Sequence, residues 1–391
     1  MRAFLSHVGV VSALGAGLAE TRRALFSDVP LGVAPSQDFA KGPPLAVGRV
    51  TAALPDSSLW PLGLRSRNNR LLALALEQVR PALEEALARV GPHRVACVLG
   101  TSTSGIGEAE EAVGRFHREG ALSPGFHYAQ QELGSPAAFI SHQTGVRGPS
   151  YVISTACSSS AKALASAARL LNAGLADVVL AGGVDSLCAF TVAGFAALDS
   201  ASRERCNPLS KNRKGINIGE AAALFLVGHE GPVRLAGWGE SSDAHHMSAP
   251  DPTGRGAREA IEQALGRAQV RPHEVGYVNL HGTATPQNDA MESRAVADTV
   301  GLEVPVSSTK PLTGHTLGAA GALEAALSYL TLVDNPQGRL PPHWWDGERD
   351  EALPPLRVVL PEGALGQPPR AVLSNSFAFG GNNAALVFAR E

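Results

Sequence analysis

The run Tyr151-Val-Ile-Ser-Thr-Ala-Cys-Ser-Ser-Ser-Ala-Lys162 sets the tightest limit on what this chain can fold into. β-Branched residues suited to a strand give way to small hydroxyl residues, and a long helix of small apolar residues follows. Cys157 therefore falls at or just before a helix N-terminus. Unpaired backbone N–H groups and the positive end of the helix dipole favour a thiolate there. A cysteine placed this way is a candidate nucleophile.

The same strand-then-helix alternation runs through the chain. Apolar runs at Val95–Leu99, Tyr151–Ser154, Val178–Val184, Val275–Leu280, Val304–Ser308, Ala371–Leu373 and Ala384–Phe388 predict buried strands. Helical patterns at Arg70–Val90, Ser158–Ala173, Gly256–Ala268 and Thr316–Val333 lie between them. An α/β layered fold is expected. Val152-Ile-Ser-Thr before one helix is echoed by Val306-Ser-Ser-Thr before another. The echo suggests two related halves, 1–232 and 233–391, joined near Gly228–Val233. Both helices are apolar nearly all round, which marks them as buried. Ser158–Ala173 carries only Lys162 and Arg169 as charges and ends at Gly174, and Thr316–Leu330 carries only Glu324.

Bulk properties exclude several classes. A chain of 391 residues that is 44% hydrophobic and 18% charged is an ordinary globular protein. A net charge of −3 gives no global attraction to nucleic acid or anionic lipid. Cys97, Cys157, Cys188 and Cys206 show no C-x-x-C spacing, so no zinc or redox pair is indicated. The N-terminus lacks a leader pattern and no uninterrupted apolar stretch of about 18 residues occurs, so a cytoplasmic protein without a membrane span is expected.

Three further segments carry reactive side chains. Asn279-Leu-His-Gly-Thr-Ala-Thr-Pro-Gln-Asn-Asp puts His281 at a strand end. Ser308-Thr-Lys-Pro-Leu-Thr-Gly-His-Thr-Leu-Gly-Ala-Ala-Gly puts Lys310 and His315 just before the second buried helix. Ser374-Asn-Ser-Phe-Ala-Phe-Gly-Gly-Asn-Asn is a strand-to-turn element whose paired glycines let backbone N–H groups approach a ligand. Each piece alone has a bland structural explanation: a buried cysteine is usually a small hydrophobe, and Cys97 and Cys188 are read that way. Gly314-x-x-x-Gly-x-x-Gly lacks both nucleotide-binding patterns.

Taken together, and in this order, the four segments resemble the β-ketoacyl-acyl-carrier-protein synthases, in the elongating branch with a Cys-His-His triad. The resemblance covers nearly the whole chain. It implies the thiolase fold, five layers α-β-α-β-α built from two duplicated halves, and a decarboxylative Claisen condensation. By this resemblance Cys157 is the nucleophile, and His281 and His315 are the two catalytic histidines. Lys310 pairs with Glu324, and Phe379 joins Cys157 in an oxyanion hole. Thr283 and Thr285 match the threonines that contact phosphopantetheine. Ile106, Phe126 and Phe195 fall where the family lines its acyl pocket or approaches it from the dimer mate. No cofactor is implied beyond the phosphopantetheine of the acyl carrier protein. Carrier proteins are acidic, so Arg65, Arg67, Arg70, Arg203 and Arg205 are read as a docking rim.

The segment Arg213-Lys-Gly-Ile departs from the family's usual Arg-Asp-Gly-Phe, with Lys214 in place of an acid. Ala222 stands where a glycine is common, and the linker at Gly228–Val233 is short. These departures suggest the secondary-metabolite branch, including aryl polyene and type II polyketide systems. The partner would then be a chain-length-factor-like subunit, with a homodimer as the alternative. A non-catalytic chain-length factor lacks the nucleophilic cysteine. The initiating synthases use Cys-His-Asn, and a degradative thiolase carries a second catalytic cysteine where this chain has Phe379-Gly-Gly.

Overall fold

Strands separate their side chains to opposite faces, and this alternation builds the molecule in layers. The computed structural model describes residues 3–39 and 42–391. In the strand Ala221–Gly228, Ala221, Ala223, Phe225 and Val227 join one buried cluster. Ala222, Leu224 and Leu226 join another. In the strand Asn382–Arg390, Ala384, Leu386 and Phe388 share that first cluster, while Ala385 and Val387 face a third. The shared cluster encloses the helices Ser159–Asn172 and Ala320–Leu332. The outer clusters are covered by Arg67–Val90 on one side and by Arg255–Ala268 with Pro286–Thr299 on the other. This is the five-layered α-β-α-β-α arrangement of the thiolase fold.

The duplication is visible in the strand order. Outward from Ala3–Ser12 come Ala221–Gly228 and Val178–Asp185, both antiparallel, then Val95–Gly100 and Ser150–Ile153, both parallel. Outward from Val233–Ser242 come Asn382–Arg390 and Ala371–Ala378, both antiparallel, then Val275–Asn279 and Pro305–Ser307, both parallel. A short strand, Arg357–Val358, extends this second half. The two halves join through three residue pairs, Ala3–Leu5 against Val233–Leu235. Ser150–Ile153 and Pro305–Ser307 thus hold equivalent places, and the echoed Ser-Thr segments follow them directly.

The central helices cross closely because the residues at the crossing are small. A Cβ on Gly321 would meet the Ala161 nitrogen at 2.7 Å, and Ala322 N–H donates to Ser160 Oγ at 2.9 Å. Small residues in both helices are therefore a packing requirement. Gly174, with φ +68°, ends the first helix in the left-handed conformation expected of it.

Two expectations change. The helix expected from Thr316 begins at Ala320, after a 3-10 turn at Leu317–Ala319. The cause is Leu317 at φ 50°, which takes the chain out of the helical path just after His315. Three strands that the apolar runs did not mark, Ala3–Ser12, Ala221–Gly228 and Val233–Ser242, form the middle of the sheet.

Candidate active site

The Cys157 elbow is held by its own hydroxyls. Ser159 Oγ accepts from Thr155 N–H at 2.8 Å and donates to the Ala156 carbonyl at 2.6 Å. Ser158 Oγ donates to the Thr155 carbonyl at 2.9 Å. Between them Ala156 sits at φ 52°, a costly conformation for a residue with a Cβ. The strain turns the chain sharply from strand to helix, and Cys157 lines a cleft together with His281, His315, Phe195 and Phe379. Cys157 lies two residues before the first helical residue, Ser159, as the sequence suggested.

The second half brings its groups to the same cleft. His315 Nε2 is 2.9 Å from Cys157 Sγ. The His281 ring stands edge-on to His315, with centroids 5.2 Å apart at 85°. Lys310 Nζ lies 3.5 Å from His281 Nδ1 and 2.5 Å from Glu324 Oε1. An ammonium only donates, so His281 Nδ1 is the acceptor and the ring carries its proton on Nε2. Lys310 and Glu324 are both buried, and each is tolerated because the other is there. The donor atoms of Cys157, His281 and His315 lie within 4.8 Å of one another, close enough for one metal ion. The ammonium of Lys310 beside them is a poor neighbour for a divalent cation.

Electrostatics keep both histidines neutral. Burial, then the Lys310 charge, holds His281 and His315 well below the ordinary imidazole range; His315 adds to the effect on His281. The cysteine corrects an expectation. Burial pushes the Cys157 thiol up to about 12, against the pull of Lys310 and of hydrogen bonds from the Phe379 and Cys157 backbone N–H groups. The resting form is therefore the thiol. Cys97 and Cys206 are likewise buried and pushed up to about 12. Cys188 is buried too, with its thiol shifted up by burial.

Phe379 opens a tight turn in which Gly380 and Gly381 have φ 76° and 71°. That turn aims the Phe379 N–H at Sγ. Thr283 and Thr285, whose Oγ1 atoms are 2.9 Å apart, line the cleft mouth. Phe195 lines it as well and packs on Phe379 with centroids at 5.6 Å. Ile106 and Phe126 do not line this cleft. Ile106 begins the Ile106–Glu119 helix and Phe126 lies in the loop beyond it.

The five arginines of the expected docking rim differ in how far they are engaged within the protein. Arg67 makes a paired contact to buried Glu220, Nε to Oε2 at 2.8 Å and a second nitrogen to Oε1 at 2.5 Å. Arg70 donates to the carbonyls of Pro55 and Leu54. Arg205 donates to those of Pro30, Leu31, Val33 and Pro311. These bonds fix three guanidinium groups that remain part-exposed, since a bidentate ion pair or a nest of carbonyls engages their donors. Arg65 makes one bond to the Trp60 carbonyl, and Arg203 is exposed with one long bond to Pro43.

Two buried acids escaped sequence reasoning. Glu292 accepts from the His281 and Gly282 N–H groups, each at 2.7 Å, and burial raises its carboxyl to about 7. Asp185 accepts from Thr101, Ser102, Thr103 and Gly318. The only sequence signal for Glu292 was an acid eleven residues after His281 on the next helix; Asp185 had none.

Comparison with known proteins agrees with this geometry. Residues 46–230 match the β-ketoacyl synthase N-terminal domain and residues 233–343 its C-terminal domain. The chain is 31% identical to 3-oxoacyl-[acyl-carrier-protein] synthase 2 of Coxiella burnetii, covering 100% of this chain and 98% of that one. It is 42% identical to a ketosynthase from Xenorhabdus doucetiae solved in complex with its chain length factor. That similarity covers 100% of this chain and 98% of that one, with a TM-score of 0.94. A β-ketoacyl synthase from Burkholderia phymatum matches at 28% identity over 100% and 99% of the two chains, with a TM-score of 0.88. The chain belongs to the β-ketoacyl synthase family, acyltransferases that form carbon–carbon bonds by condensation.

Proposed function

We propose that this chain elongates acyl groups carried on an acyl carrier protein, and that Cys157 holds the growing chain. The approach of Sγ to His315 Nε2 at 2.9 Å, beside the inward-facing Phe379 N–H, carries the reading. In the first half-reaction the thiol proton passes through solvent toward the departing carrier sulfur, and His315, protonated on Nε2, donates to the thiolate that forms on Sγ. Sγ then attacks the thioester carbonyl, whose oxygen receives the Cys157 and Phe379 N–H donors. The carrier thiol leaves with that proton.

The malonyl-carrier thioester then enters past Thr283 and Thr285. Its bond to CO2 breaks, and the electron pair becomes an enolate whose oxygen takes hydrogen bonds from His281 and His315. The enolate carbon attacks the acyl carbonyl on Sγ, and Cys157 leaves as thiolate, which takes a proton from solvent to restore the resting thiol. Neutral imidazoles suit this step, because each offers one N–H without a compensating charge. The Lys310–Glu324 pair fixes the His281 tautomer. The acyl groups arrive on phosphopantetheine, so no step calls for a resident metal or cofactor.

The setting we propose is secondary metabolism, as the catalytic subunit of a heterodimer with a chain-length-factor-like partner. The 42% identity to the Xenorhabdus ketosynthase, against 31% to the Coxiella synthase, favours this. So does the exposure of apolar side chains at Val113, Phe116, Tyr128, Phe190 and Leu198. The strand Ser150–Ile153 also ends the sheet and offers an unpaired edge to a partner. The divisions 1–232 and 233–391 are then two halves of one catalytic unit, not independent domains. Condensation assayed alone and with co-encoded subunits, over a panel of acyl-carrier substrates, tests the setting. Activity only with the second subunit supports it; full activity as a homodimer on fatty acyl-carriers overturns it.

A further inference from the structure

Asp185 ends the strand Val178–Asp185 and is fully buried, yet no cation pairs with it among the described residues. Its carboxylate is satisfied by six donors instead. Oδ1 accepts from Thr101 Oγ1 at 2.6 Å, Thr103 Oγ1 at 2.8 Å and Thr103 N–H at 3.0 Å. Oδ2 accepts from Ser102 Oγ at 2.7 Å and from Gly318 N–H at 2.6 Å. The Ser102 N–H is shared, 3.0 Å from each oxygen.

These donors come from both halves of the molecule. Thr101–Thr103 follow the strand Val95–Gly100 of the half that bears Cys157. Gly318 lies three residues after His315, in the 3-10 turn Leu317–Ala319 of the other half. Residue 318 can be only glycine, because a Cβ would meet Ser102 N at 2.6 Å and Asp185 Oδ2 at 2.7 Å. Leu317 and Ser104 on either side of the clamp have φ 50° and 48°. Strain of this kind persists only where surrounding bonds over-determine the backbone. On its other side His315 is held by its N–H to the Asn217 carbonyl at 2.6 Å and by Gly219 N–H to its own carbonyl at 2.9 Å. The His315 Nδ1 atom has no hydrogen-bond partner among the described residues. Its ring direction therefore depends on the backbone at both ends.

We infer that Asp185 is a positioning residue for the reaction: it clamps the His315–Gly318 turn to the Cys157 half and so sets the His315–Cys157 distance. The inference rests on the roles proposed above for Cys157 and His315. Asp185→Asn keeps the size but points amide hydrogens at N–H and O–H donors, so the clamp should open. A displacement of about 1 Å at a reacting pair costs on the order of 10²-fold in rate.

The test compares wild type, Asp185→Asn, His315→Ala and Leu83→Ala, the last a core change in the outer helix away from the site. Cys157 alkylation by iodoacetamide at fixed pH is followed by mass spectrometry, alongside thermal melting and steady-state condensation. Asp185→Asn should slow alkylation toward the His315→Ala value. It should lower kcat about 10²-fold with KM for the carrier within about twofold. Leu83→Ala should melt earlier yet alkylate at the wild-type rate. Wild-type alkylation per folded molecule in Asp185→Asn, or slowing matched by Leu83→Ala, overturns the inference. Alkylation needs no natural substrate, so a wild-type protein that shows no condensation even with its co-encoded subunits would refute the proposed function and leave this result readable.

Discussion

The two central helices hold equivalent places in the duplicated sheet but are entered by different connections. Residues 154–158 join Ile153 to the first helix, whereas residues 308–319 join Ser307 to the second. The short connection forces the Ala156 strain and delivers one group, Sγ, to the cleft. The long one folds back on itself, buries Lys310, presents His315 and lets Glu324 return from the helix to meet the lysine. One fold unit thus serves as nucleophile mount in the first half and as electrostatic cradle in the second. The difference lies in the length of a loop, not in the helix that follows.

Removing the charge in the long connection should do the most damage. Lys310→Met leaves Glu324 buried and unpaired, which should cost about 3–5 kcal/mol in denaturant melts and abolish condensation. The pair Lys310→Met with Glu324→Leu should recover most of the stability and none of the activity. Recovered activity in the double variant would show that the cradle is only packing. His281→Ala should separate the halves kinetically: malonyl-carrier decarboxylation falls on the order of 10²–10³-fold, while acyl transfer to Cys157, measured by intact mass, changes far less. Equal losses in both steps would break the division of labour.

Much of this was legible in the residues. The Thr-Ala-Cys-Ser-Ser run predicted its elbow because its hydroxyls act within four residues, and the His-Gly-Thr and Gly-His-Thr segments carry their geometry locally. Partners chosen by the fold were not legible. Arg67 is met by Glu220, 153 residues on, and Arg70 by the Leu54 and Pro55 carbonyls, contacts that no local pattern announces. The depressed thiol expected from the helix start was outweighed by burial, which no local motif reports. Asp185 reaches Gly318 across 133 positions, and such a contact leaves no pattern in sequence.

Glu292 sharpens the comparison with a pH signature. Its folded carboxyl, raised to about 7, sits above the unfolded range, so the native state binds the proton more tightly. Its contribution to stability is fully present at low pH and is lost as pH rises through about 7. Glu292→Gln should flatten that decline between roughly pH 4.5 and 7 in thermal melts. A wild-type profile no steeper than the variant's would contradict it. The smallest effect belongs to the elbow: Ala156→Val should cost about 1–2 kcal/mol, because a β-branched side chain tolerates φ 52° less well than alanine. No loss would mean the elbow is relaxed.

The central claim is that Cys157 carries the acyl chain between two thioester partners. Intact-mass and peptide mapping after incubation with acyl-carrier protein tests it most directly. One acyl adduct should appear on the peptide bearing Cys157 and disappear when malonyl-carrier protein is added. An adduct on Cys97, Cys188 or Cys206, or elongation without any adduct at Cys157, would contradict the account.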